Sequence, residues 1–212
     1  MLKRMRWSGG AELLCVTLAA FCGLAPSTAR AGTIDTAELE RAWPRQYVHS
    51  YEIGRHEVVW RQRLSRREGI LAGVSLLAPS DPQRTWKLVT DYSDLGKASR
   101  DVQSLTMLED TDTRKVIRVT VKVLWKTMTF TFVIEQEPPE TIRFALVEQN
   151  LMTYRGVCRL RPDGEGTRLE IATLVKPAVR VPLRLLVLAE RVVILQGVRD
   201  FLKLCEAAPG RD

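Results

Sequence analysis

The chain has 212 residues, 45% of them hydrophobic, and its 32 Lys and Arg against 25 Asp and Glu give a net charge of +7. That length suits one domain able to bury its own core without disulfides or a structural metal. The charge is mild, and no concentrated basic run with interleaved aromatics is present, which excludes a nucleic-acid-binding arm.

Residues 1–31 read as an export signal. Lys3, Arg4 and Arg6 make a positive start, residues 13–24 are mostly apolar, and Ala29-Arg30-Ala31 is a small-x-small cleavage site before Gly32. The apolar stretch is short for a bilayer span. An uncleaved anchor helix is the alternative. A lipid anchor is rejected, because Cys15 follows Leu14 and Cys22 follows Phe21, where a small residue belongs. Four basic residues against Glu12 put +3 of the charge in this leader and leave +4 for the rest. Such a charge suits an anionic membrane surface or plain solubility equally.

Residues 32–54 form an N-terminal extension. Within it, residues 36–43 make a short helix with Thr33 or Asp35 as N-cap, ended by Pro44. Residues 47–53 are ambiguous. Residues 57–64 read as a short strand with Val58, Trp60 and Gln62 on one side. Ile70, Ala72, Val74 and Leu76 then alternate as the first clear strand of the main sheet. Ser80-Asp81-Pro82 starts a helix, since Ser80 or Asp81 can cap it and Pro82 costs nothing in a first turn. Trp86 and Val89 face the sheet from this helix. It stops near Thr90, and residues 91–96 lead through a kink into a second short helix.

Residues 102–108 form the next strand, and residues 110–113 a turn. Ile117, Val119, Val121, Val123 and Trp125 then share one face of a strand, with Arg118, Thr120 and Lys122 on the other. Met128, Phe130, Phe132 and Ile134 repeat the pattern. After a turn at residues 137–140 come Ile142, Phe144 and Leu146, then Tyr154, Gly156, Cys158 and Leu160. Pro162-Asp163-Gly164-Glu165-Gly166 is a hairpin loop, and Leu169, Ile171 and Thr173 follow it. The last helix opens at Pro182 and runs to about residue 207. Its expected apolar stripe is Leu185, Leu188, Ala189, Val192, Leu195, Val198 and Leu202. The sheet's oily face needs a cover, and this helix is the one long apolar segment able to supply it. A curved sheet gripping one helix tends to leave a hollow between them.

The order of strands, two short helices, antiparallel strands and a long terminal helix resembles the helix-grip proteins, the START-like or SRPBCC superfamily. Ala78-Pro79-Ser80-Asp81-Pro82-Gln83-Arg84-Thr85-Trp86-Lys87-Leu88-Val89-Thr90-Asp91-Tyr92 looks like the family's opening, a strand running into a capped helix with a tryptophan and an Asp-Tyr step. Tyr154-Arg155-Gly156 followed by Pro162-Asp163-Gly164-Glu165-Gly166-Thr167-Arg168-Leu169 looks like its late hairpin. Residues 54–59 resemble a short element that often precedes the domain in exported members. The polyketide cyclase and coenzyme-Q-binding branch is the nearest in pattern, over residues 55–207, with 208–212 left as a tail. Gln149 and Cys158 stand where that branch commonly shows glycine and tryptophan, which removes an aromatic wall near the sheet centre. The resemblance implies an α+β helix-grip fold with a cavity for a hydrophobic small molecule or lipid.

Trp86, Tyr92, Trp125, Met128, Phe130, Phe132, Phe144, Met152, Tyr154, Leu188, Val192 and Leu195 are the expected cavity lining; the alternative is that they fill a solid core. Asp91 and Tyr92 are the polar candidates at the cavity mouth, either a headgroup anchor or a helix-ending motif. Arg118, Lys122, Arg143, Arg155, Arg159 and Arg161 share outward parity, as solvated sheet residues or a membrane-docking face. His49 and His56 precede the core and form no metal motif, so no metal or cofactor is expected. Cys158 and Cys205 remain after export, either bridged or as free packing residues. The sequence offers no positioned nucleophile or acid–base set. A binding and transport protein is therefore the leading reading. A cyclase or aromatase-type enzyme and a non-ligand interaction module are the alternatives.

Overall fold

A computed structural model describes residues 34–37, 39, 48–65, 69–92, 102–123, 126–147, 152–177 and 182–207. Its strands are β1 (Val48–Ile53), β2 (His56–Ser65), β3 (Gly69–Ala78), β4 (Val102–Asp110), β5 (Arg114–Val123), β6 (Lys126–Glu137), β7 (Thr141–Leu146), β8 (Met152–Asp163) and β9 (Gly166–Pro177). They pair antiparallel in one sheet of order β1-β2-β3-β9-β8-β7-β6-β5-β4. Two helices are described, α1 (Pro82–Thr90) and α2 (Leu183–Ala207). The chain is the expected helix-grip fold, a curved antiparallel sheet with the terminal helix against it. α1 ends at Thr90 with Asp91 as a non-helical C-cap, Tyr92 is helical again, and the rest of the second short helix expected there lies outside the described residues, as does Trp125.

Two-residue alternation builds the sheet. On β3, Ile70, Ala72, Val74 and Leu76 are fully buried on the concave face. The ambiguous residues before Gly54 are an edge strand. β1 turns back into β2 at Gly54, whose φ of +63° is left-handed, and Tyr51 pairs with Val58. At Gly69, φ +97°, an added Cβ would collide with the Val175 carbonyl, so only glycine lets β3 enter beside β9 there.

α1 is fixed at its start. Asp81 is the N-cap and accepts from the Arg84 N–H at 3.0 Å, and Pro82 fills the first turn. Thr167 on β9 donates to the Ser80 carbonyl at 2.7 Å, and the Ser80 and Thr85 hydroxyls lie 2.7 Å apart. These buried bonds hold the helix start to the sheet end. Asp81→Ala is expected to cost about 1 kcal/mol, read as a lowered urea midpoint; an unmoved midpoint would show that Ser80 and Thr167 hold the helix without the cap.

The convex face is drier than alternation alone suggests. Leu71, Val157, Ala172 and Leu174 form an apolar patch there, and Leu39 of the N-terminal segment packs into it, 1% exposed. Two polar ties hold the segment. The Ile34 N–H donates to both carboxylate oxygens of Glu135 at 3.3 Å, and Arg155 Nη1 donates to the Asp35 carbonyl at 2.9 Å. Two of the arginines with outward parity are thus engaged within the chain, Arg155 here and Arg143 with Glu137 at 2.6 Å.

On the concave side, α2 does not sit over the middle of the sheet. Its backbone runs close to β3 and α1 rather than to β5–β8. Under that half the core is solid: Val58, Trp60, Ile70, Val74 and Leu76 are at most 1% exposed and join one cluster with Leu195, Leu202 and Cys205. Among the described residues no helix is long and apolar enough to cross a membrane.

Candidate ligand cavity

Because the α2 backbone runs closer to β3, a gap remains between it and the strands on the other side of the sheet. A cavity of about 450 Å3 lies there, partly open to solvent. Its floor comes from the concave faces of five strands: Ile117 of β5, Phe132 and Ile134 of β6, Ile142 and Phe144 of β7, Tyr154 and Cys158 of β8, and Leu169, Ile171 and Thr173 of β9. Val89 of α1 and Tyr92, two residues beyond its end, close one side. Ile194, Gly197, Val198 and Phe201 of α2 form the roof. The volume is in the usual range for a small-molecule site.

Of the twelve expected lining residues, Tyr92, Phe132, Phe144 and Tyr154 border this space. Met128 and Phe130 share the parity of Phe132 but lie earlier on β6, and neither borders the cavity. Trp86 and Met152 pack against the solid cluster instead. Leu188, Val192 and Leu195 do not border it either. The helix sequence is apolar almost all round, so its period does not single out a face. The four roof residues fall at i+4, i+7, i+8 and i+11 from Glu190, a stripe that shares only Val198 with the expected one. Sequence reasoning missed Ile194, Gly197, Phe201 and Glu190. The available signal was one acidic residue interrupting an otherwise apolar stripe.

Three aromatic rings shape the floor. Phe132 meets Tyr154 edge-on with centroids 6.3 Å apart, and Phe144 lies 6.0 Å from Tyr154. The Phe144 ring folds over Gly156, its cross-strand partner, and an added Cβ there would strike the ring. Gly197 is the opposite case: a Cβ on it would meet nothing, and it is exposed, so α2 is thinnest where the cavity reaches its surface.

The polar groups around this space are few. Tyr92 Oη accepts from Gln136 Nε2 at 2.7 Å; burial pushes its pKa up to about 12, against the lowering effect of that bond. Cys158 is a free thiol pushed up to about 12 by burial. Cys205 is also a free thiol, so the two are not bridged. Tyr154 is raised well above the usual phenol value by burial first and by Glu190 second. Behind the wall, Thr173 Oγ1 donates to Glu190 Oε1 at 2.7 Å. Glu190 is 1% exposed, and burial raises its pKa from 4.5 to about 7, with the Thr173 bond opposing the rise. Among the described residues it has no cationic partner. His56 sits apart, 3.4 Å from Glu206 at the far end of α2, and His49 is exposed. No described group of three or more His, Cys, Asp or Glu is placed to hold a metal.

Comparison with known proteins follows this geometry. By structure, human STARD10 aligns over 85% of this chain and 82% of its own at 9% identity, with a TM-score of 0.61. A STAR-related lipid transfer protein from Xanthomonas axonopodis aligns over 74% and 98% at 15% identity, TM-score 0.55. The Zhui aromatase/cyclase from a Streptomyces species aligns over 65% and 94% at 17% identity, TM-score 0.55. At such identities the likeness is one of fold. No curated protein matches by sequence. Residues 79–202, more than half of the chain, match the family described as polyketide cyclase / dehydrase and lipid transport. The stretch runs from the residue after β3 through the cap, the cavity floor and most of the roof, and the chain belongs to the polyketide cyclase / dehydrase and lipid transport family.

Proposed function

We propose that the protein is an exported carrier that buries a hydrophobic small molecule or lipid between its sheet and α2. The observation that carries this reading is the cavity itself, about 450 Å3 with Ile, Leu, Val and Phe on most of its wall. Each methylene moved from water into such a space gains about 0.8 kcal/mol, so a short acyl chain already binds usefully. The family's description includes lipid transport, and one structural neighbour is titled a lipid transfer protein, which supports the reading. The titratable groups on the cavity wall favour holding over turnover. Tyr92 and Cys158 are both pushed to about 12 and stay protonated at neutral pH, so neither is activated as a nucleophile. Loading and release require α1 or α2 to move, in transient contact with a membrane. The leader-like residues 1–31 support export, to the periplasm or otherwise out of the cytoplasm.

Organic extraction of protein purified from its native compartment, followed by mass spectrometry, tests the binding role. A stoichiometric apolar compound is expected. Repeated recovery of empty protein that also fails to take up N-phenylnaphthylamine, a neutral apolar dye, would overturn the reading. Fractionation with N-terminal sequencing tests export: the mature chain is expected to begin at Gly32.

A further inference from the structure

One part of the cavity wall is chemically unlike the rest. Tyr154 and Thr173 are neighbours on the concave face, because Tyr154 pairs with Val175 and Gly156 with Thr173, a diagonal offset within reach of one bound group. Both border the cavity. Tyr154 is half-buried, and among the described residues its hydroxyl makes no hydrogen bond within the chain. It is not sealed from solvent, so the phenol is open to whatever occupies the cavity. Thr173 is committed differently. Its proton points to Glu190, so its oxygen keeps lone pairs but has no proton to offer the cavity. The wall therefore carries a phenol with no protein partner among the described residues and, diagonally across the two strands, a threonine oxygen whose proton is taken by Glu190; Thr173 itself is only 1% exposed.

We propose that Tyr154 and Thr173, with Glu190 behind them, form a recognition subsite for an uncharged hydroxyl group on a hydrophobic ligand. This assignment rests on the binding reading above. A hydroxyl both donates and accepts. Its proton goes to Thr173 Oγ1, and its oxygen accepts from the Tyr154 hydroxyl. An ether or ester oxygen satisfies Tyr154 alone. A carboxylate or phosphate is disfavoured, because among the described residues no Lys or Arg lines the cavity and the Glu190 carboxyl lies behind the wall. The ligand class is thus a long-chain or ring alcohol, or a phenol, rather than a fatty acid or phospholipid.

Displacement of N-phenylnaphthylamine by dodecanol, dodecyl methyl ether and dodecanoate tests this. In the wild type, dodecanol is expected to bind about five- to tenfold more tightly than the ether, the worth of one hydrogen bond. Dodecanoate is expected to be the weakest of the three. Thr173→Val should abolish the alcohol's advantage over the ether, and Thr173→Ser, which keeps the hydroxyl, should preserve it. Tyr154→Phe should weaken alcohol and ether together. Equal binding of alcohol and ether by the wild type, or tighter binding of dodecanoate, overturns the subsite and leaves the carrier reading standing. That comparison needs no variant to fold. Failure of all three compounds and of the dye to bind overturns both.

Discussion

Wild-type protein is expected to lose stability as pH rises from about 4.5 to about 7, and Glu190→Gln is expected to remove that loss. In the unfolded chain Glu190 is an ordinary carboxyl and gives up its proton near 4.5. In the folded chain burial holds the proton until about 7. Between these values the native state binds more protons than the unfolded one, so stability falls with pH, and above about 7 no further loss comes from this group. The spacing of the two values corresponds to about 3 kcal/mol. Glutamine has nearly the same shape, carries no charge, and can keep the bond to Thr173. At pH 8 the variant should therefore be the more stable protein by a large part of that amount. At pH 4 the two should be close. Urea unfolding of both proteins at pH 4, 5, 6, 7 and 8 measures this, and the difference between them cancels every other titrating group. Parallel profiles across that range would show that Glu190 is solvated or paired in solution. A carboxyl kept at such a cost beside a cavity, where Leu would pack without penalty, is what a binding role for the Thr173 wall leads one to expect.

Most of the fold was legible because it is written in local chemistry. Period-two alternation placed β3 and β5–β9. Asp81 and Pro82 marked the start of α1 by the rules of helix ends, and Gly164 marked the last hairpin, where it sits at φ +62°. What stayed hidden depends on pairing and on rotation. The residues before Gly54 alternate too weakly to declare a strand, and β1 is fixed by its ladder to β2. Leu39 gives no sign of its target, because the convex patch of Leu71, Val157, Ala172 and Leu174 joins β3 to the β8–β9 hairpin, which lies far from it in sequence. The face of α2 was the largest gap. With apolar residues on nearly every side, hydrophobicity alone leaves the helix free to rotate, and it is the lean toward β3 that turns Ile194, Gly197 and Phe201 to the hollow. Sequence therefore located the cavity's floor better than its roof.

Whether that space is truly empty is decided most directly by filling it. Cys158 is the residue to enlarge. It sits mid-floor on β8, pairs with Ile142 and Ile171, which also border the cavity, and strand parity aims its side chain inward. Cys158→Phe puts a ring into the ligand's volume and leaves Tyr154, Thr173 and Glu190 themselves unsubstituted. Two architectures predict opposite results. In a filled core the extra ring has no room and costs about 1–3 kcal/mol through strained rotamers and shifted strands. Beside a 450 Å3 void the ring gains apolar contacts, so the stability change should be near zero or favourable. Uptake should respond in reverse: dye and dodecanol affinity should fall at least tenfold, because the chain must now compete with a covalently tethered occupant. A variant that unfolds more easily yet still binds as the wild type does would mean that the concave side is packed solid and that any ligand sits elsewhere. Cys158→Ser, which changes polarity with little change in size, separates the two effects, since it leaves the volume open and should leave uptake of an apolar dye within a few-fold of the wild type.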